Sequence, residues 1–533
     1  MHLHPTRTAV DLAVAGVLAV GVGLVAREAA VVAWGGALLV GLAVARAVTA
    51  LGVSRVRAAG FEMLWRSEPR TRRVARGETV ELEAEVRNRD TRAARYVGLR
   101  VVASPNLELS VEPTEGEVPA GGRLRAIVKV KTPRVGRHGL HGLSLEVRGS
   151  PGLYEVPLTF SNPFGIEVLP RAFALSMRSP RGGRSRMVAN EGRPGPFSGD
   201  GMELRELREH RPGDPLKRVA WKASARRGQL MVRDYEREER DVVWLLLDAS
   251  VELWSGEIGL SPLDLAIDEV AAVAMRHLGR GDRVGLGILG ARRLAWLTPA
   301  RGPAHGTELM IALANATGTY DSDRSDLDEV DVAMRVIEHM RPLDPAAAAR
   351  VRPSDLDRVA RRVDRVKTRA PFPSVTVWAE AARDRSLRSY LAAFGMSSPP
   401  RLEAERPRTD ARLAAALERV TRDKPKASVV YVWSVAPDVA ARPEIGAALA
   451  RFPRRNIDLR WLSMRLEPGI PKTGSETMAA VGDAVSIRAL VAQERGEHEL
   501  RRQGIRVERA TLRSASLPAP PESTREPPDP THR

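Results

Sequence analysis

Two apolar runs open the chain. Ala9 to Ala26 is interrupted only by Asp11, and Ala29 to Ala45 carries no charge, with apolar residues continuing past Arg46 to Leu51. At a helical rise of 1.5 Å per residue, each run comes close to the ~20 residues that cross a bilayer core. A pair of soluble core helices would carry a polar face, and these carry almost none. The pattern predicts a transmembrane hairpin over residues 1–57. Asp11 sits near one end, where a charge costs less than the ~2.5–3.5 kcal/mol of mid-bilayer. If the first run were a cleaved signal peptide, the second would act as a stop-transfer segment. Arg7 precedes the hairpin and Arg46, Arg55 and Arg57 follow it, while the connecting turn offers Arg27 beside Glu28. The positive-inside rule then puts both ends, and the soluble remainder, on the cytoplasmic side of the plasma (inner) membrane.

From residue 58 to 170 the period changes to two. Val80, Leu82, Ala84 and Val86 alternate with Glu81, Glu83 and Glu85. Similar runs recur at Tyr96–Val102, Leu124–Val130, Leu143–Val147 and Tyr154–Phe160, separated by turns such as Pro119-Ala-Gly-Gly and Gly149-Ser-Pro-Gly. Short, punctuated, alternating strands predict a small antiparallel β-sandwich. It holds no convergent cluster of ionisable residues.

Residues 241–512 read as α/β. Val242–Leu247 is a continuous apolar run, as in a strand buried on both faces. Leu263–Leu278 has helical spacing, Arg283–Leu289 and Leu294–Leu297 read as strands, and a helix starts near Thr307. Further strands follow at Ser428–Trp433 and Ile457–Leu462, with a helix over Val485–Gln503. Such alternation predicts a doubly wound sheet, whose ligands collect at the carboxyl ends of the strands. Gly285-Leu-Gly287-Ile-Leu-Gly290 fits G-x-G-x-x-G, but inside a strand, which is the wrong context for a dinucleotide. Residues 320–427 exceed any crossover that the fold needs and read as an insertion, with an acidic stretch at Asp321–Asp331 and a strand at Val375–Trp378. The Pro-, Ser- and Glu-rich tail over 513–533 is expected to be disordered.

Composition narrows the chemistry. The absence of cysteine removes disulfides, thiolate nucleophiles and cysteine-ligated metals. A net charge of +17 points towards an acidic partner. No RNA-binding aromatic motif, zinc finger or basic zipper accompanies it, so nucleic acid is not expected. The chain has no Walker A, H-E-x-x-H or G-x-S-x-G motif, and its ten histidines are scattered. A non-enzymatic role follows.

Charge is densest over 171–240, with 17 Lys or Arg against 10 Asp or Glu. One reading is a network of ion pairs joining the sandwich to the next domain, with Trp221 packed at the joint. The other is a docking surface. Here the stretch LRELREHRPGDPLKRVAWKASARRGQLMVRDYE, followed by an apolar strand and Asp-x-Ser, resembles domain-of-unknown-function family 58. The matching positions are Arg205, Arg208, Pro212, Gly213, Asp214, Arg218, Trp221, Lys222, Ala225, Arg226 and Arg233. His210 stands where the family usually has an aromatic. Asn162 to Arg171 resembles the family's turn before the signature.

The resemblance implies two membrane helices, a β-domain, and a von Willebrand factor A-like domain with a metal-ion-dependent adhesion site. In such domains an Asp-x-Ser-x-Ser loop, with a Thr and an Asp from later loops, holds Mg²⁺, a hard cation that prefers oxygen. Here the loop reads Asp248-Ala-Ser250-Val-Glu252, with Glu in place of the second Ser. Thr307 is the candidate third ligand. No later Asp is evident, since the fourth strand ends at Ser434 with Asp438 several residues on. The site is degenerate. The resemblance further implies a membrane-anchored adaptor working with a MoxR-type AAA+ ATPase in the maturation or assembly of other proteins. The alternatives are a metal-dependent hydrolase and a cell-envelope binding protein.

Overall fold

The computed structural model describes residues 3–509 apart from 60, 68, 172–192, 213, 215, 240, 255, 292, 320–326, 350, 374–376, 378, 380, 397, 399–404 and 466–475. Gly213, most of the expected strand at Val375–Trp378, much of the acidic stretch and the 513–533 tail lie outside the described residues.

Helix α1 (Arg7–Ala26) begins at Thr6, whose hydroxyl accepts from the Ala9 N–H, and ends at Arg27, which turns left-handed at φ 58°. Helix α2 (Ala29–Ala59) packs back along it. Glycine makes the approach close: a Cβ on Gly35 would lie 2.7 Å from the Gly16 carbonyl oxygen, and one on Gly23 2.8 Å from Val32. Small residues serve this purpose wherever close packing must hold two helices together. The outward faces are apolar, with Leu18, Val25 and Trp34 at 61%, 88% and 74% exposure. Only 17% of either span is buried, which argues against soluble core helices. Both helices are long and apolar enough to cross a membrane. Helix α2 continues beyond Leu51, so Arg55 and Arg57 lie on it rather than after it.

The next region is built from β1 (His4–Pro5), β2 (Phe61–Trp65), β3 (Thr71–Ala75), β4 (Thr79–Asn88), β5 (Ala94–Ala103), β6 (Glu108–Glu112), β7 (Gly116–Val118), β8 (Arg123–Lys131), β9 (Gly136–Gly149) and β10 (Tyr154–Leu169). One sheet runs β2-β4-β8-β6 and is antiparallel; the other runs β1-β10-β9-β5-β7. Val80, Leu82, Ala84 and Val86 face a core shared with Leu140, Leu143, Leu145 and Phe164, as the alternation requires. Strand β3 departs from the antiparallel expectation by pairing with β10 in parallel. Asn162 to Leu169 is not a turn: after an irregularity between Ser161 and Phe164 it continues β10, burying Phe164, Ile166 and Val168. Both ends of the helical hairpin are tied to this region. Strand β1 pairs with β10, and the Thr49 hydroxyl donates to the Ser150 carbonyl.

A second antiparallel pair, β11 (Arg193–Glu209) and β12 (Met231–Glu239), carries the basic signature, with α3 (Trp221–Arg227) in its connection. The α/β unit follows as β13 (Val242–Asp248), α4 (Pro262–Gly279), β14 (Arg283–Leu289), β15 (Arg293–Ala300) and α5 (Pro303–Asn315). Then come α6 (Glu329–Leu343), α7 (Pro345–Ala348), α8 (Leu356–Lys367), α9 (Ala382–Ala393), α10 (Glu405–Arg422), β16 (Val429–Ser434), α11 (Pro443–Leu449), α12 (Arg451–Arg454), β17 (Asp458–Ser463), α13 (Glu476–Arg502) and β18 (Arg506–Arg509). The sheet order is β15-β14-β13-β16-β17-β18, parallel except at the β14–β15 edge. Helices cover both faces, α4 and α5 on one core and α10 and α11 on the other. Every residue of β13 is buried accordingly.

The glycines of the G-x-G-x-x-G stretch make room for tryptophans. A Cβ on Gly285 would come 2.9 Å from Trp244, and one on Gly287 2.8 Å from Trp296. The two indoles sit 4.6 Å apart. The expected insertion is shorter than 320–427, because α10 belongs to the sheet-covering layer. Helices α6 to α9 form their own core around Val336, Met340, Val363, Leu387 and Phe394. They also reach the β-sandwich: the Thr71 hydroxyl donates to the Pro371 carbonyl, and His339 meets His141.

Candidate functional site

Strands β13 and β16 run parallel and place Asp248 and Ser434 together at their carboxyl ends. Asp248 is 1% exposed. Its Oδ1 accepts from the Ser250 N–H at 3.0 Å, which folds the loop back on the strand end. Its Oδ2 accepts from Ser434 Oγ at 2.7 Å and from Arg406 Nη1 at 3.0 Å. Arg406 Nη2 lies 2.9 Å from Asp410 Oδ1, and the other Asp410 oxygen accepts from Arg442 Nε at 3.2 Å. Glu252, in the short helical turn after the loop, stands 3.9 Å from Arg406 Nη1 and is 45% exposed. Burial works against the Arg406 charge, but Asp248, Asp410 and Glu252 outweigh it and hold its pKa above the ordinary value. Burial also pushes the Asp410 carboxyl up, opposed by Arg406 and reinforced by the charge of Asp248.

Thr307 does not join this site. Strand β15 returns antiparallel, and Ala300 at its end pairs with Val284 at the start of β14. Asp248 pairs with Leu289 at the other end of β14. Helix α5 therefore begins at the amino end of the parallel strands, where His305 Nε2 lies 2.7 Å from the Val284 carbonyl oxygen. Thr307 donates to the Pro303 carbonyl within its own helix. Asp438 is likewise local, accepting from the Ala440 and Ala441 N–H groups.

Only part of the arrangement suits a divalent ion. The Ser250 hydroxyl is buried without a hydrogen-bond partner, which suits an oxygen ligand. The Arg406 guanidinium, however, stands directly on Asp248, and two cations cannot share that oxygen without strong repulsion. Among the described residues no group of three or more Asp, Glu or His converges at metal-ligating spacing. The donor set, as folded, does not fit Mg²⁺. Sequence reading did not reach Arg406, Asp410 or Arg442. Arg406 and Asp410 have i, i+4 spacing, but both lie within 320–427, where the sequence pattern reads as an insertion.

The signature residues form a separate surface at the hairpin tip. Arg208 grips Asp214 with both terminal nitrogens, at 2.7 and 2.8 Å, and Asp214 also accepts from the Arg211 N–H, so its carboxyl is held far below the usual range. Ser224 is buried, accepting from the Met231 N–H at 2.8 Å. Val219, Ala220, Met231 and Val232 are buried beneath it. Trp221 is not packed at a domain joint: it is 65% exposed. Leu216 at 68% and Leu230 at 46% are also exposed, as are Lys222, Arg226 and Arg233. The side chains of Arg205 and Arg218 lie outside the described set.

The family described as "Protein of unknown function DUF58" matches residues 206–365, which takes in this hairpin tip and the Asp248 loop. Uncharacterised proteins of Mycobacterium tuberculosis and Mycobacterium bovis are 28% identical over 147 residues, covering 28% of this chain. That match spans 46% of the length of those relatives. Among solved structures, a PapD-like domain of human CEP192 is 15% identical over 20% of this chain and 82% of its own, with a TM-score of 0.15. The Caenorhabditis elegans MSP family member WR4 is 11% identical over 20% of this chain and 94% of its own, with a TM-score of 0.14. Likenesses this low carry no argument.

Proposed function

We propose that this chain is a membrane-tethered docking protein. The two apolar helices hold it at the cytoplasmic face of the plasma membrane. There a von Willebrand factor A-like, doubly wound domain and the signature hairpin present surfaces to a partner, and the chain performs no catalytic step of its own. The observation that carries this reading is the hairpin tip. Its frame is built with buried hydrogen bonds, yet it displays Trp221, Leu216 and Leu230 outward. Between Leu207 and Arg233 there are eight Lys or Arg against two Asp or Glu, and one of those acids is taken up by Arg208. Aromatic and arginine side chains are enriched at protein interfaces. The tip suits an acidic protein surface with an apolar cleft.

The resemblance to domain-of-unknown-function family 58 makes a MoxR-type AAA+ ATPase the partner of choice, acting with this chain in the maturation or assembly of other proteins. The test is affinity purification of the full chain from its native membrane in mild detergent, beside W221A and K222E. Recovery of an AAA+ ATPase with the wild type, and its loss with both variants, is expected. A wild-type preparation that repeatedly brings down no ATPase overturns the choice of partner. Protease treatment of spheroplasts addresses the orientation: a soluble region digested from outside intact spheroplasts contradicts a cytoplasmic location.

A further inference from the structure

We propose that Arg406 replaces the divalent cation at the carboxyl end of the sheet. The Asp248 loop is then neutralised from within and needs no metal. The geometry carries this. A divalent ion at Asp248 would draw its oxygens from the strand-end carboxylate, the loop hydroxyl and groups on adjoining loops. In this chain one guanidinium spans that space, touching Asp248 at 3.0 Å and Asp410 at 2.9 Å with different nitrogens, and standing 3.9 Å from Glu252. A planar fork with several donors is suited to bridging two carboxylates at once. The resemblance to von Willebrand factor A-like domains implies a second carboxylate from a later loop; here Ser434 ends β16, and its hydroxyl donates to Asp248 instead.

Helix physics makes the placement informative. Arg406 lies in the first turn of α10, where the positive end of the helix dipole disfavours a cation. The neighbouring carboxylates hold it there against that field. Since the cation is part of the chain, its occupancy does not depend on free ion concentration or on chelators. Asp248, Asp410 and Glu252 face Arg406, with Arg442 on the far side of Asp410. Removal of the guanidinium would leave three carboxylates against one cation, together with the unpartnered Ser250 hydroxyl. These carboxylates do not converge at metal-ligating spacing around the guanidinium, but with it gone they can close on a hard divalent ion that prefers oxygen.

Mn²⁺ depletion followed by electron paramagnetic resonance tests it on the full chain in detergent micelles, using wild type, R406Q and the double variant R406Q/D248N. The wild type is expected to leave the free Mn²⁺ signal unchanged. R406Q should take up one equivalent, at least roughly tenfold more tightly than the wild type, and the double variant should lose that uptake. Uptake of one equivalent by the wild type overturns the proposal and needs no variant. A folded R406Q that binds none also overturns it. So does an R406Q chain that fails to fold even with excess Mn²⁺, because the ion should then restore the missing charge.

Discussion

The imidazoles of His141 and His339 meet at 3.1 Å although 198 residues separate them. One ring belongs to the β-sandwich and the other to the helical insertion, where its second nitrogen contacts Tyr390 Oη at 2.9 Å. The contact pins two regions together through neutral rings. Burial lowers the His141 pKa to about 4, and burial together with the nearby His141 ring holds His339 well below 6.5. His138 is lowered to about 4, again chiefly by burial.

Acid should therefore loosen the joint. A histidine depressed in the folded state stabilises fully above its unfolded pKa of 6.5, and that stability is lost as pH falls towards 4. The loss by pH 5 is on the order of 2 kcal/mol for His138 and for His141. Thermal melts from pH 7 to 5 should show a falling midpoint, and His339→Phe should lessen the fall without abolishing it, since His138 and His141 remain. A midpoint independent of pH over that range contradicts the assignment.

Gly287→Val should destabilise the α/β unit by about 1–3 kcal/mol, since the new side chain would press into Trp296. Gly279→Ala makes a control, because nothing lies within 4 Å of its added carbon. Urea denaturation of the two variants should separate them clearly.

At the hairpin tip, stability and docking should come apart. Trp221→Ala is expected to change stability by no more than about 0.5 kcal/mol, as an exposed residue. Ser224→Val leaves the buried Met231 N–H without its acceptor and should cost about 1–3 kcal/mol. Only the first should abolish partner recovery while the melting curve stays unchanged.

In the helical hairpin, the adjacent glycines Gly35 and Gly36 should respond oppositely. A Cβ at Gly35 meets the Gly16 backbone at 2.7 Å, whereas one at Gly36 meets nothing within 4 Å. Gly35→Leu should lower the melting midpoint in detergent and Gly36→Leu should not. Both should stay in the membrane fraction after carbonate washing, because hydropathy is preserved.

Features that depend on neighbours along the chain are written in the residues themselves. The two apolar helices, the alternating strand of Val80 to Val86 and the all-buried strand of Val242 to Leu247 were legible because burial imprints its period directly on residue type. The strand context of Gly285 and Gly287 was legible too, though their reason for being glycine required the indoles of Trp244 and Trp296. Asp248 could be placed at a strand end from the apolar run before it.

Tertiary structure alone decided what stands beside Asp248. Thr307 follows a glycine after a short strand, as a loop ligand would, but the antiparallel return of β15 carries it to the opposite end of the sheet. Arg406 came in from 158 residues away, and no local pattern distinguishes an arginine that will bridge two buried carboxylates from one that will face water. Trp221 shows the converse, since a large aromatic in an aromatic-poor chain suggests burial, and only the fold reveals it bare. Periodicity records which face of an element is covered. It cannot record which distant segment covers it, because that depends on the order of strands in the sheet and on the paths of the connections between them.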